Sequence, residues 1–156
     1  MPRLAFAYLG AILFADHVIH RKSPSWFAIG PLDHAAHLAT AALLLPRGRS
    51  LGWTVSFMAG SLLPDVDHVP LAFRDPQPGD PRPPSHSLLS VAPAAAASRA
   101  TAAGMLAHFA RDLALAPGTP ILWPLSSRPL RVPYALYAAA VTALAARALL
   151  RDSRAH

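Results

Sequence analysis

Six apolar stretches of helical length divide the chain, at residues 4–19, 31–45, 51–63, 86–97, 100–116 and 132–150, and none alternates apolar with polar side chains as a half-buried strand would. The breaks between them carry the residues that end helices: Ser23-Pro24, Pro46-Arg47-Gly48-Arg49, the proline-rich stretch from Pro64 to Pro84, and Pro117-Gly118-Thr119-Pro120. The expected fold is all-α, a bundle of about six helices. A length of 156 residues is one domain's worth of chain, so a single domain over 1–156 is expected.

That bundle has little to offer water. Hydrophobic residues make up 53% of the chain and charged residues 14%, more apolar than a soluble domain requires. All eight acids are Asp and thirteen of the fourteen bases are Arg, so the Glu and Lys pairs that dress solvated helices are missing. A membrane-associated bundle with lipid as a partner follows. Spanning a bilayer takes about 20 apolar residues, and only the stretches 4–19 and 132–150 approach that, so these are the expected membrane-embedded helices. The four middle stretches are shorter, and suit tilted helices or a compact bundle seated on the terminal pair. Arg3 and the run Leu4 to Ala15 imitate a signal peptide, but Asp16-His17-Val18-Ile19-His20 follows in place of a small-residue cleavage site, so a retained helix is expected. His17 and His20, next to Arg21 and Lys22, read as interface anchors. The Arg residues sit singly at segment ends and form no basic stripe, so no nucleic-acid partner is expected. Without cysteine, any metal must take nitrogen and oxygen ligands.

Against this background the polar residues between Leu62 and Asp112 stand out: Asp65, Asp67, His68, His86, His108 and Asp112. Carboxylates and imidazoles are costly to bury unless paired or coordinated, and together they form the ligand mix of zinc and related divalent ions. His108 and Asp112 lie four apart on an expected helix, which puts them on one face with Cβ atoms roughly 6 Å apart. Pro64 stops the third helix, and Asp65, Asp67 and His68 follow at its C-terminal end, where two carboxylates oppose the helix dipole and a cation would settle them. Ser85 is placed to cap the fourth helix, leaving His86 in its first turn. Asp33, His34 and His37 lie near the start of the second, with the two imidazoles spaced i, i+3.

In an up-down bundle, the start of helix two, the end of helix three, the start of helix four and the end of helix five share one end, so every candidate ligand falls in one layer. This needs a reversal near Ala97-Ser98-Arg99, because an unbroken helix would separate His86 from His108 by roughly 33 Å. The loop within 64–84, in particular Arg74 to Pro84, is expected to be extended, either a lid over that layer or a passive connector.

Taken in order, these motifs resemble the membrane-bound metal-dependent hydrolases, a family of inner-membrane-associated proteins thought to be distantly similar to zinc-dependent phospholipase C. Leu63-Pro64-Asp65-Val66-Asp67-His68 matches the family's Leu-Pro-Asp-x-Asp-His, Ser85-His86-Ser87 its Thr-His-Ser, His108 and Asp112 its His-x-x-x-Asp, and Gly118-Thr119-Pro120-Ile121-Leu122-Trp123-Pro124 its Gly-x-Pro-Leu-Leu-Trp-Pro. The resemblance covers roughly Asp33 to Tyr134. One departure is Pro81, which stands where the family commonly has a histidine before the Arg retained here as Arg82.

The resemblance implies a multi-pass protein of the inner membrane that hydrolyses its substrate with a divalent metal, zinc first, as one or two ions. Asp65, His86, His108 and Asp112 would be ligands, with His37 completing the set and His34 the other candidate from that helix. Asp67 and His68 would orient ligands or relay protons. Arg82, Arg128 and Arg131 would hold substrate phosphate, the substrate being a phosphoester, small or lipid-linked. The competing expectation is a noncatalytic integral membrane protein whose metal site is structural or serves partner binding. Oligomeric state is left open.

Overall fold

The computed structural model describes residues 2–22, 26–69 and 84–152. Within them the α-helices are α1 (Pro2–Lys22), α2 (Trp26–Leu44), α3 (Leu51–Gly60), α4 (Leu88–Ala97), α5 (Arg99–Asp112) and α6 (Tyr134–Asp152). The described residues contain no β-strand, only an isolated antiparallel bridge between Thr119 and Leu130. Each of the six apolar stretches thus contributes one helix, with its ends moved by local chemistry. α2 begins at Trp26 and carries Pro31 inside it, so Asp33, His34 and His37 sit about two turns in and face the bundle interior. α3 ends at Gly60, and Leu63–Asp67 winds as a tighter 3-10 turn with Pro64 near its start. The fourth helix does not open at Ser85: Pro84–His86 forms another 3-10 turn, and Ser87 takes the extended cap position ahead of Leu88.

The reversal expected near Ala97-Ser98-Arg99 is a single residue. Ser98 is extended, at φ −158° and ψ 116°, and its hydroxyl accepts from the Thr101 N–H, so it ends α4 and caps α5. Serine can do both without glycine or proline, because its side chain replaces a backbone partner at the new N-terminus.

α5 is the centre of the bundle, packed against α2, α3 and α4, while α1 lies along α2 and α6. Small residues let these helices approach closely. A Cβ at Gly104 would collide with the Phe57 carbonyl oxygen, and one at Gly60 with that of Thr101, so α3 and α5 cross backbone against backbone. Ala41, Phe57, Ala100 and Ala107 fill the core on that side; Ile12, Ala39, Ala114, Tyr137 and Val141 fill it between α1, α2 and α6.

The outer surface is different from that of a water-dressed bundle. Phe6 and Phe14 on α1, Leu51 and Val55 on α3, Leu88 and Leu89 on α4, Leu125, and Leu136 on α6 are all exposed. The expected transmembrane spans at 4–19 and 132–150 are nevertheless corrected: both form helices, but among the described residues no helix is long and apolar enough to cross a membrane. Polar residues interrupt the long ones: Asp16, His17, His20 and Arg21 in α1, Asp33, His34 and His37 in α2, Arg147 and Arg151 in α6.

Candidate metal centre

Six side chains from four elements meet inside the bundle. α2 supplies His37, the turn after α3 supplies Asp65 and His68, the turn before α4 supplies His86, and the end of α5 supplies His108 and Asp112. His37, His86 and His108 are at most 1% exposed, Asp112 is 2% and Asp65 8%. Water cannot solvate these charges, so their partners must be one another or an ion.

The distances favour an ion. His86 Nε2, His108 Nε2 and Asp65 Oδ1 form a nearly equilateral triangle with sides of 3.3, 3.4 and 3.5 Å. Asp112 Oδ2 makes a second triangle on the same histidine pair, 3.2 Å from His108 Nε2 and 3.5 Å from His86 Nε2. Ligands held 2.0–2.1 Å from a tetrahedral zinc lie about 3.3–3.4 Å from each other. Charge-assisted hydrogen bonds would be shorter, about 2.7–2.9 Å, and one N–H cannot serve three acceptors.

The tautomers agree with this. His108 Nδ1 lies 2.8 Å from the Ser61 carbonyl oxygen, which only accepts, so Nδ1 carries the proton and Nε2 presents its lone pair to the cluster. Burial and the neighbouring His37 push the His108 pKa down despite Asp112 and Asp65, which keeps the ring neutral, as a ligand must be. His86 Nδ1 lies 3.1 Å from Ser85 Oγ, which can accept in the same way.

His37 lies on the other side of the carboxylates. Its Nε2 is 3.3 Å from Asp112 Oδ1, 3.5 Å from Asp33 Oδ2 and 4.0 Å from Asp65 Oδ2. Burial and the Arg111 guanidinium push its pKa down, but Asp33 and Asp112 outweigh them and hold it up, at about 9. His34 is half exposed, with Nε2 3.5 Å from Asp65 Oδ2. Both imidazoles of the i, i+3 pair therefore reach the cluster. Burial opposes ionisation of Asp65 and of Asp112, yet the histidines around them hold both carboxyls below the usual range.

Behind this layer lies a network that sequence reasoning missed. Arg111 is fully buried, and donates through Nε and Nη2 to Asp16 Oδ1 and through Nη1 to Asp33 Oδ1 at 2.6 Å. Burial would raise the Asp33 pKa, but Arg111 and His37 hold it far down. Asp16 also accepts from the Tyr134 hydroxyl at 2.9 Å. The available signal was Asp16, a lone acid in an apolar helix, and an Arg beside Asp112. His17 and His20, expected at the interface, line a cleft with Asp16 and Tyr134.

Asp67 is half-buried at the edge of the cluster and His68 is buried: His68 Nδ1 is 3.1 Å from Asp67 Oδ1 and 3.8 Å from Asp65 Oδ1. Arg128 and Arg131 are exposed on the segment between α5 and α6. No described contact joins either to the cluster. Arg82 and Pro81 lie outside the described residues, as does the expected lid up to Pro83.

No curated protein and no solved structure matches the chain, so hydrolysis and likeness to zinc-dependent phospholipase C have no support from relatives. A family model described as YdjM inner membrane protein matches residues 32–155, which takes in every side chain of the cluster. The chain belongs to the YdjM inner membrane protein family.

Proposed function

We propose that this chain is an inner-membrane-associated, divalent-cation-dependent hydrolase, with a phosphoester as its preferred substrate class. The observation that carries the reading is the pair of donor triangles built on His86 Nε2 and His108 Nε2 with Asp65 and Asp112. Zinc suits nitrogen and oxygen donors at this spacing. A divalent ion there supplies an acidified water and a Lewis acid for a phosphoryl oxygen. The protein's own part is to hold His108 in the ligating tautomer through Ser61, with Ser85 beside His86, and to keep the acids ionised. The half-buried Asp67, paired with the buried His68, provides a route for a proton between the buried layer and water. The exposed apolar side chains of α1, α3 and α4 provide the surface that lipid would cover, and a lipid-linked substrate fits that setting. Arg128 and Arg131, on the exposed segment between α5 and α6, remain proposed phosphate contacts, as does Arg82.

A structural role for the metal is the second reading, and burial favours it: His86, His108 and Asp112 are sealed from solvent, as ligands of structural zinc are. Detergent-purified protein separates the two. The hydrolase reading expects bound metal and turnover of a generic phosphodiester such as bis-p-nitrophenyl phosphate, with turnover abolished in His108→Ala and Asp65→Ala while helix content by circular dichroism is kept. Bound metal without turnover, and unfolding of both variants, assigns the metal to structure.

A further inference from the structure

We propose that the cluster takes two divalent cations, with Asp65 and Asp112 bridging them, His86 and His108 on the first, and His37 and Asp33 on the second. The inference rests on the metal reading above and deepens it.

The two bridging acids divide their oxygens between two sets of partners. Asp65 turns Oδ1 to His86 and His108, and Oδ2 to His37 and His34. Asp112 turns Oδ2 to His86 and His108, and Oδ1 to His37. A carboxylate presented this way joins two ions.

The histidine rings point to the same count. His37 and His108 are stacked with centroids 3.7 Å apart and planes within 8°, and their Nε2 atoms face different oxygens of the same Asp112 carboxylate. Nitrogen lone pairs lie in the ring plane, so those of two stacked rings run side by side. An ion shared between them would sit about half the ring separation out of both planes, where neither lone pair points. Two ions, one in each plane, would be spaced close to the roughly 3.5–4 Å of two-metal hydrolytic sites.

Two orphaned atoms aim at the second position. His37 Nε2 and Asp65 Oδ2 are buried and make no hydrogen bond among the described residues, and His37 is 1% exposed. Such groups are rare without a partner. Charge agrees: Arg111 pairs with Asp16 and Asp33, and Asp65 and Asp112 add two more carboxylates to the same layer, so with neutral imidazoles one dication leaves these five side chains anionic. Two make the layer weakly cationic, ready for a hydroxide or a phosphate oxygen. Arg111 also fixes Asp33 by its Oδ1, which leaves Oδ2 toward His37. His37 is as buried as His86 and His108, but the second position is reached through Asp33, whose side chain is 28% exposed, and past the neighbouring His34 at 38%. The second ion is therefore the one that substrate reaches.

The test is a metal count on the full chain in detergent, loaded with zinc and freed of excess, with electron paramagnetic resonance of the Mn2+ form alongside. Two zinc ions per chain and an exchange-coupled manganese pair are expected. His37→Phe keeps the stack on His108, and Asp33→Asn keeps the shape; each should lower the count to about one and turn the manganese signal into an isolated six-line spectrum, with helix content unchanged. One ion per chain in the wild type, and an isolated manganese signal there, overturns the second position and leaves the first standing. No ion at all overturns both. Two ions that persist in both variants overturn the assignment of His37 and Asp33.

Discussion

The Nδ1 of His108 sits 2.8 Å from the carbonyl oxygen of Ser61, the residue that directly follows α3. This bond ties His108 on α5 to the helix that delivers Asp65, and it exists because Gly60 and Gly104 let the two backbones touch. The geometry of the His/Asp cluster is thus set by a helix crossing that lies outside it.

Gly104→Ala should separate α3 from α5. Its methyl group meets the Phe57 carbonyl and backbone atoms of Gly60 and Ser61, none of which is a flexible side-chain end. Overpacking of this kind costs about 1–3 kcal/mol. Urea unfolding should show that loss, and zinc affinity should fall with it because Ser61 no longer holds His108.

Arg111→Met leaves Asp16 and Asp33 buried without their cation. Breaking a buried ion pair from one side costs about 3–5 kcal/mol. Asp16→Asn added to Arg111→Met should recover part of that loss, since the remaining charge is then smaller. Denaturant midpoints of the two single variants and the double variant check the coupling.

His37 gives the metal-free protein a defined pH response. Its pKa is raised from 6.5 to about 9 by Asp33 and Asp112 against the opposing effects of burial and Arg111. A raised folded pKa contributes stability that is whole below about 6.5 and is lost as pH climbs through about 9. A ligand must shed this proton, so cation uptake at pH 7.5 should release about one proton per chain, and affinity should rise with pH over the same window. Calorimetry in buffers of different ionisation enthalpy measures the release. His37→Phe should abolish it.

Phe14 is 62% exposed on α1, and Phe6 56%. If lipid covers that face, a Phe14→Trp indole in the protein reconstituted into vesicles should be quenched by lipids brominated on their acyl chains and be poorly quenched by aqueous iodide. The reverse pattern would place the face in water.

The helices were legible from the chain because each apolar stretch is bounded by residues that stop a helix, and the meeting of His37, Asp65, His86, His108 and Asp112 followed from the alternation of helix direction. Ser98 was legible as a break only because it interrupts a run of alanines. Exact ends were not: Pro31 sits inside α2, and Ser87 rather than Ser85 takes the cap position, since both depend on tertiary packing. The second face of the cluster was hidden for another reason. That Asp65 and Asp112 divide their oxygens, and that Arg111 reaches Asp33 from 78 residues away, are facts of side-chain orientation. Membrane spans at 4–19 and 132–150 were over-read, because length and apolar content were counted while Asp16 and Arg147 were set aside.

The most direct measurement is zinc K-edge X-ray absorption on detergent-purified, zinc-loaded protein. The account predicts nitrogen and oxygen ligands at about 2.0–2.1 Å with the outer-shell scattering of imidazole rings, and loss of imidazole scattering when His86 and His108 are replaced together by alanine. Protein that retains no zinc, or a spectrum without imidazole that the double variant leaves unchanged, would contradict it.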